Sequence, residues 1–277
     1  MSDYLNQKYD FNDPKLAAVY DELPLWSAPF GAALLDTVRF RAGINVLDIG
    51  CGCGFPLLEL AQRLGPSCQV YGLDPWEQGL ERARLKISQI PLPNVTLVLG
   101  AAEKIPFENN FFDLIVSNNG VNNCAGQEQV LRECYRVCRP GAQLVLTMNL
   151  PETMKEFYAV YEETLTGLGK ESAVQELRQH IFEKRKPLSL MEKLIRSAGF
   201  QINQTIANSF TMRFSDGTAF FNHFFIKLYF LEPWKKIVNP DDLPTVFQIL
   251  EDKLNQLAAQ KGELSLTIPY ACIDCRK

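Results

Sequence analysis

Between residues 44 and 149 the chain alternates strand-like and helix-like segments, and the links between them are short. Short apolar runs rich in β-branched residues predict buried strands at 44–50, 68–74, 95–100, 112–119 and 142–149. Apolar residues at helical spacing predict helices at 55–65, 78–90 and 127–138. This order predicts a mostly parallel sheet with helices on both faces, because parallel strands need helical crossovers.

The second half of the chain follows a different pattern and predicts mostly helix. Helices are expected at 152–184 (one or two), 187–200, 217–238 (one long helix) and 243–261, and strands at 200–214 and 264–275. The last two strands bring the expected sheet to seven. We therefore predict a single α/β domain with a Rossmann-like sheet and a helical insertion between its last strands.

The segment VLDIGCGCGF (46–55) places three glycines at every second residue directly after the first strand. Glycines allow a tight turn and a close approach of the backbone to a ligand. Asp74 ends the second strand, where an acidic side chain can accept hydrogen bonds from ribose hydroxyls. The spacing is not the G-x-G-x-x-G of dinucleotide-binding domains, so the pattern favours a different nucleoside ligand.

These segments together resemble the class I S-adenosylmethionine-dependent methyltransferases over roughly residues 40–150. The glycine loop matches D-x-G-x-G-x-G, and YGLDPW, LGAAEKIPF (99–107), FFDLIVSNN (111–119) and RVCRPGAQLVLT (136–147) follow in the family's order. The resemblance implies S-adenosylmethionine as cofactor. It divides the chain into an N-terminal helical lid (1–40), a cofactor-binding core (41–150), and the remaining sheet with a helical acceptor-site insertion (151–277).

Carried onto this sequence, the family's motifs imply a cofactor site at the carboxyl edge of the sheet. Its expected residues are Asp48, Gly50, Cys51, Gly52, Gly54, Asp74, Pro75, Trp76, Ala101, Ala102, Glu103, Asn118 and Asn119. One position departs from the family, where an aspartate commonly accepts from the adenine amino group and this chain has Ala101. We expect that contact to be lost or moved to Glu103 or a water.

The cysteines raise the question of a metal or thiol site. Cys51 and Cys53 lie between glycines that are needed for the backbone path, and we interpret them as small packing residues. Cys272 and Cys275 lie three apart on the last expected strand, so they point to opposite faces. Zinc would need four suitably spaced ligands, and the sequence predicts no metal.

The acceptor is expected to be a small apolar or aromatic molecule. The segment SNNGVNN (117–123) lacks the N-P-P-Y type of motif, and the chain carries a net charge of −4, so a nucleic-acid substrate is disfavoured. The segment is more similar to that of quinone-biosynthesis C-methyltransferases and arsenite methyltransferases. Arsenite stays a lesser alternative, since no cysteine follows Ser117 and Asn118 directly.

Two aromatic segments outside the core are expected to form one lid and acceptor wall: 20–31 and 217–234. Expected acceptor-binding residues are Trp26, Phe30, Asn123, Phe220 and Phe224. His223 is the favoured general base and Tyr20 a second candidate, because the ordinary histidine pKa lies near neutrality. The same rings could instead form core or a homodimer contact.

The chain has no run long and apolar enough to span a membrane and no apolar leader at its start, so we expect a cytoplasmic protein without a membrane span. A non-catalytic cofactor-binding or interaction module on the same fold remains the alternative to an enzyme.

Overall fold

The computed structural model describes residues 3–21, 25–90 and 92–277, which fall into two compact units. The sheet unit comprises Asp10–Asn149, Pro187–Asn208 and Tyr270–Lys277. The helical unit comprises the described residues up to Tyr9 together with Leu150–Lys186 and Ser209–Pro269. The predicted lid boundary at residue 40 and the single-domain organisation stay predictions.

In the described part of the chain, seven strands form one sheet. They are β1 (Asn45–Ile49), β2 (Gln69–Asp74), β3 (Val95–Leu99), β4 (Phe112–Asn118), β5 (Cys138–Asn149), β6 (Gln201–Phe214) and β7 (Leu264–Arg276). Their spatial order is β3-β2-β1-β4-β5-β7-β6. The first five strands pair in parallel, whereas β7 runs antiparallel to β5, with Gln143 opposite Arg276 and Asn149 opposite Tyr270. The predicted mostly parallel seven-stranded α/β fold is confirmed.

The centre of the sheet is apolar on both faces. Val46, Val116 and Val145 belong to a buried cluster with residues of the neighbouring helices. Leu47 and Ile115, one position along each strand, point to the opposite face and are also fully buried. Strands that are buried on both faces read as continuous apolar runs, which is why the sequence predicted them well.

The helices of the sheet unit include those expected at 55–65, 78–90, 127–138 and 187–200. They are α1 (Pro14–Asp21), α2 (Ser27–Thr37), α3 (Leu57–Leu64), α4 (Glu77–Gln89), α5 (Gly120–Asn123), α6 (Gln127–Val137) and α9 (Leu188–Ser197). A buried polar network fixes the antiparallel strand: the Asp274 carboxylate accepts from Gln143 (2.8 Å) and Arg39 (3.0 Å). This network links β7 to β5 and to the residues that follow α2.

The helical unit is built on an aromatic core. Its elements are a 3₁₀ turn (Asp3–Asn6), α7 (Lys155–Gly167), α8 (Glu171–Lys184), α10 (Gly217–Asn222), α11 (Phe224–Ile226), a π-helical turn (Lys227–Leu231), α12 (Glu232–Lys235), a second 3₁₀ turn (Pro240–Asp242) and α13 (Leu243–Lys261). Phe157, Phe220, Phe221, Trp234 and Phe247 are all fully buried.

The prediction of one long helix over 217–238 is wrong. His223 adopts an extended conformation with φ −64° and ψ 129°, which separates α10 from α11. The side chain of Asp216 caps α10 by accepting from the backbone N–H of Ala219 at 2.7 Å. Aromatic, Asn and His residues have weak helix propensity, so packing of the rings decides the local conformation.

Candidate cofactor site

The candidate site lies where the strand order reverses, at the carboxyl ends of β1 and β4. Open α/β sheets bind ligands in the crevice at this point. The glycine loop follows β1, and Gly50 and Gly52 have φ values of 76° and 49°, a region that L side chains rarely adopt. A Cβ at Gly50 would lie 2.7 Å from the Cα of Gly120, whereas one at Gly52 would meet no atom of the described residues within 4 Å. The loop is therefore closed on one side and open on the other.

Asp74 ends β2 and holds the glycine loop in place. Its two carboxylate oxygens accept from the backbone N–H groups of Gly52 and Trp76, each at 2.8 Å. Burial raises the pKa of Asp74, and the two hydrogen bonds oppose that shift. A carboxylate has about four acceptor positions, so two remain for a ligand's hydroxyl groups.

Asp48 lies on β1 under the loop and is fully buried. Neither carboxylate oxygen makes a hydrogen bond of normal geometry within the described part of the chain. Burial, and then the charge of Asp74, raise the pKa of Asp48 to about 8, and the backbone N–H of Leu57 opposes the shift. This side chain is an uncompensated acceptor at the base of the crevice.

Carboxamide side chains lie at the end of β4 and directly after it, at the same edge of the sheet. Asn118 is held by Thr147, whose hydroxyl donates to its Oδ1 at 2.9 Å, and it donates to the carbonyl of Ser27 at 3.1 Å. Asn119 has a positive φ of 61°, and neither end of its buried side chain has a partner in the described residues. This left-handed conformation at a turn is one that asparagine tolerates.

Asn122 and Gln127 extend this group, and the sequence analysis did not single them out as ligands. Asn122 donates to Asn149, and Gln127 donates to the backbone carbonyl of Asn122 at 3.0 Å. Both side-chain oxygens are buried and lack a donor among the residues described. The sequence could have indicated them, because each is a polar residue at a position of α5 or α6 that faces the interior. By contrast, Asn123, which was predicted to bind the acceptor, is exposed.

The adenine end of the predicted site is open at Ala101, which is exposed, while Ala102 is buried. Glu103 is half-buried, and its side chain lies close to Gly126. Pro75 is exposed and Trp76 half-buried. Trp76 donates from Nε1 to the carbonyl of Phe11 at 2.8 Å. The side chain at position 101 is therefore a methyl group, whereas the family commonly has an aspartate there.

The loop thiols are buried in the fold. Cys51 belongs to the apolar cluster of the sheet unit, and burial raises its pKa well above the ordinary value. Burial also raises the pKa of Cys53 to about 12. Thiols of this kind are not nucleophiles at neutral pH. Across the residues described, no group of three or more His, Cys, Asp or Glu side chains could hold a metal ion.

Residues 20–31 start next to the glycine loop, within the sheet unit. Asp21 forms ion pairs with Arg82 (2.8 Å) and Lys86 of α4. Lys86 also donates to the carbonyl of Cys53 at 2.7 Å. The Tyr20 ring lies 5.8 Å from that of Trp76. Part of the predicted lid, 22–24, lies outside the described residues.

The predicted acceptor residues differ in burial. Trp26 is half-buried, whereas Phe30 is fully buried, with its ring 5.0 Å from that of Tyr270. In the helical unit, Phe220 is fully buried and Phe224 is half-buried. Phe30 and Phe220 thus have the burial of core residues. Their role in acceptor binding, and the joint wall of 20–31 with 217–234, stay predictions.

His223 lies at the break between α10 and α11. Burial, and then the charge of Lys227, lower its pKa, so the imidazole is neutral at physiological pH. Its Nδ1 is buried without a hydrogen-bond partner in the described part of the chain, and its ring lies 5.4 Å from Phe214. A neutral imidazole can accept a proton, as the predicted base requires.

Comparison with known proteins gives a consistent result. A methyltransferase-domain family matches residues 47–146. A demethylmenaquinone methyltransferase of Listeria welshimeri is 32% identical over 180 residues, which cover 62% of this chain and 76% of that protein. The one from Listeria monocytogenes serotype 4a is 36% identical over 137 residues, or 48% of this chain and 58% of that protein. The chain thus spans little more than half the length of that second relative.

Solved structures match the fold. A protein from Bacillus halodurans that is described as a methyltransferase superposes with a TM-score of 0.59 at 22% identity, covering 89% of this chain and 98% of that one. An S-adenosylmethionine-dependent methyltransferase from Aquifex aeolicus gives 0.54 at 22% identity, covering 72% and 93%. No helix in the described ranges is both long and apolar enough to cross a membrane. From the ordered motifs, the sheet topology and these relatives, the chain belongs to the class I S-adenosylmethionine-dependent methyltransferases, enzymes whose cofactor is S-adenosylmethionine.

Proposed function

We propose that this chain transfers the methyl group of S-adenosylmethionine directly to a ring carbon of a small hydroxylated aromatic acceptor, of the reduced demethylmenaquinone type. The main support for this class of acceptor is the set of buried carboxamides after β4. Some of their hydrogen-bonding atoms have no partner among the described residues. The curated relatives, named demethylmenaquinone methyltransferases, support the same class.

The residues of the crevice fit the cofactor. Asp74 has acceptor positions left for the ribose hydroxyls. The oxygens of Asp48 have no partner in the described residues, and a cationic ligand close to them would favour the ionised form of this side chain. The open side of Gly52 leaves room for a close approach of the ligand to the backbone. Ala102 offers a backbone N–H at the adenine end. When bound, S-adenosylmethionine supplies a methyl group already activated by its sulfonium.

The carboxamides suit a neutral, hydroxylated ring. Asn119 can both donate and accept, and the oxygens of Asn122 and Gln127 can accept from ring hydroxyls. Leaving such buried groups unpaired costs free energy, which an acceptor with matching hydroxyls would recover. A hydroxyl conjugated with the ring raises electron density at the neighbouring carbon. That carbon's electron pair forms the new C–CH₃ bond, the C–S bond breaks with its pair going to sulfur, and the ring proton leaves.

These side chains would position the ring but have no titratable group. Displacement of an activated methyl needs mainly alignment and a dry site. A base is needed only for the proton that the ring loses, and His223 and Tyr20 remain the proposed candidates. The arsenite alternative requires accessible thiols, whereas seven of the eight cysteines are buried.

The test is transfer of a labelled methyl group to a 1,4-naphthohydroquinone that carries hydrogen at the reacting carbon. We expect a C-methylated product, and about ten-fold loss of kcat/KM in Gln127→Ala, the equivalent of one hydrogen bond of about 1.4 kcal/mol. Gln89→Ala is the matched control, since Gln89 lies exposed at the end of α4 and, among the described residues, its side chain bonds only the neighbouring Ser88.

Equal activity of the two variants would contradict the proposal that the carboxamides bind the acceptor. Cofactor binding without transfer to any hydroxylated aromatic, quinol or phenol would favour the non-catalytic module instead. Transfer to arsenite but to no aromatic acceptor would reverse the choice of substrate class.

A further inference from the structure

The helical unit contains a buried cation that has no counter-ion among the described residues. Arg185 follows α8, and only 2% of its surface is exposed. Its Nη1 donates to the hydroxyl of Tyr158 at 2.9 Å, and this is its only side-chain hydrogen bond in the described part of the chain. Its Nε is buried without a partner. No carboxylate of the described residues lies within ion-pair distance of this guanidinium.

The surroundings of Arg185 do not compensate its charge. A guanidinium keeps its proton in proteins, so burial cannot neutralise it. Burial lowers the pKa of His180 to about 4, and the charges of Arg185 and Lys184 add to that shift, although Glu183 opposes it. The imidazole is therefore neutral, and the immediate field remains positive. An unpaired buried charge is expensive unless a partner is supplied.

Tyr158 supplies a second unused donor next to the guanidinium. Its hydroxyl oxygen accepts from Arg185 and also from Nε1 of Trp234 at 3.0 Å. A tyrosine hydroxyl has two acceptor positions and one donor proton, so both acceptor positions are taken. Its proton has no acceptor among the described residues. The O–H of Tyr158 and the free N–H groups of Arg185 thus form a cluster of donors without an acceptor.

Aromatic rings surround this donor cluster. The Arg185 guanidinium carbon lies 5.1 Å from the ring centre of Tyr158 and 5.8 Å from that of Phe230. The Trp234 ring lies 5.4 Å from Phe230 and 4.1 Å from Phe157. Cation–π contacts ease the burial of a guanidinium but leave its N–H edge unsatisfied. These rings would therefore favour contact with the apolar part of a ligand, and the donors would favour an oxyanion attached to it.

We propose that the helical unit binds the carboxylate of an aromatic or apolar organic acid at the Arg185–Tyr158–Trp234 cluster. A planar guanidinium edge matches the two oxygens of a carboxylate. One cation balances one negative charge, which favours a carboxylate over a phosphate dianion. This binding does not depend on methyl transfer, so the proposal stands apart from the proposed function.

The experiment is calorimetric titration of the full chain with 2-naphthoate. We expect saturable binding at one site, and at least ten-fold weaker binding of 2-naphthamide, which has the same ring without the charge. Inorganic phosphate should also bind at least ten-fold more weakly. Absence of saturable naphthoate binding, or equal binding of the amide or of phosphate, would overturn the proposal.

Variants test whether naphthoate binds at this cluster. Arg185→Met should weaken naphthoate binding at least ten-fold without lowering the unfolding midpoint, because it replaces an unpaired buried charge by an apolar chain of similar length. Arg178→Met is the matched control on exposed α8 surface, where Arg178 pairs with Glu162. Tyr158→Phe, which removes only the hydroxyl, should also weaken binding and serves if Arg185→Met does not fold. Unchanged binding in both Arg185→Met and Tyr158→Phe would place the acid elsewhere and contradict the proposal.

Discussion

At the scale of single residues, Asp48 sets a pH dependence for the fold. Burial raises its pKa from the ordinary 3.8 to about 8 in the folded chain. Between these two values the folded state binds a proton that the unfolded state has released. The stability associated with this group is therefore full below about pH 4 and is lost as the pH rises to about 8.

We accordingly predict that Asp48→Asn flattens the pH dependence of stability. The wild-type free energy of unfolding, measured by denaturant titration without cofactor, should fall between pH 5 and 8 more steeply than that of the variant. Asp113→Asn is a control, since Asp113 is a half-buried carboxyl with an arginine partner at the other end of the neighbouring strand β4. Parallel pH profiles for wild type and Asp48→Asn would show that Asp48 is charged in the folded chain.

Ala101 gives the second prediction at this scale. Because this exposed position carries only a methyl group, Ala101→Asp adds the carboxylate that the family commonly uses. We expect about ten-fold tighter binding of S-adenosylhomocysteine by calorimetry, since one hydrogen bond to a charged group contributes about 1.5–3 kcal/mol before ordering costs. Ala259→Asp, at an exposed position of α13, adds the same charge away from the site and is the control. Equal affinity in wild type and Ala101→Asp would mean that another group already binds the adenine amino group.

At the scale of elements, the sequence predicted the regions where the apolar residues follow one clear pattern. The strands β1, β4 and β5 are buried on both faces, and their uninterrupted apolar runs predicted them within a few residues. The glycine loop was also predictable, because positive φ values restrict the residue type. The break at His223 was not, since packing of Phe220, Phe221 and Trp234 overrides local propensity there. Asn122 and Gln127 were not predicted as site residues, because a polar residue near a turn is expected to be exposed to solvent.

His223, at the break between α10 and α11, provides the prediction at this scale. If it is the base, His223→Ala should reduce the methyl-transfer rate by roughly two to four powers of ten. The unfolding midpoint in urea should change little, because Nδ1 makes no hydrogen bond within the described residues. His180→Ala, the other histidine variant that the chain allows, should leave turnover intact. A lowered midpoint with normal turnover would identify His223 as a packing residue only.

At the scale of the whole molecule, all the predicted cofactor residues fall within the sheet unit, from Asp48 to Asn119. A ligand that binds only the folded state stabilises it by about 2.7 kcal/mol at one hundred times its dissociation constant. The added protection should concentrate where backbone N–H groups approach the ligand. The cofactor site therefore predicts a local pattern of hydrogen exchange rather than a uniform one.

We predict that S-adenosylhomocysteine slows amide exchange at 48–54, 74–76 and 101–103, and raises the thermal midpoint. Asp74 accepts from the backbone N–H of Gly52, and a nucleoside bound at this loop would exclude water from it. Exchange in α13 of the helical unit should stay unchanged at times shorter than global unfolding, because local opening there does not involve the loop. Asp74→Ala, which removes the acceptor that holds Gly52 and Trp76, should lose most of the protection at equal ligand concentration. Slower exchange in α13 without any change at 48–54 would contradict the assignment of the cofactor to the sheet unit.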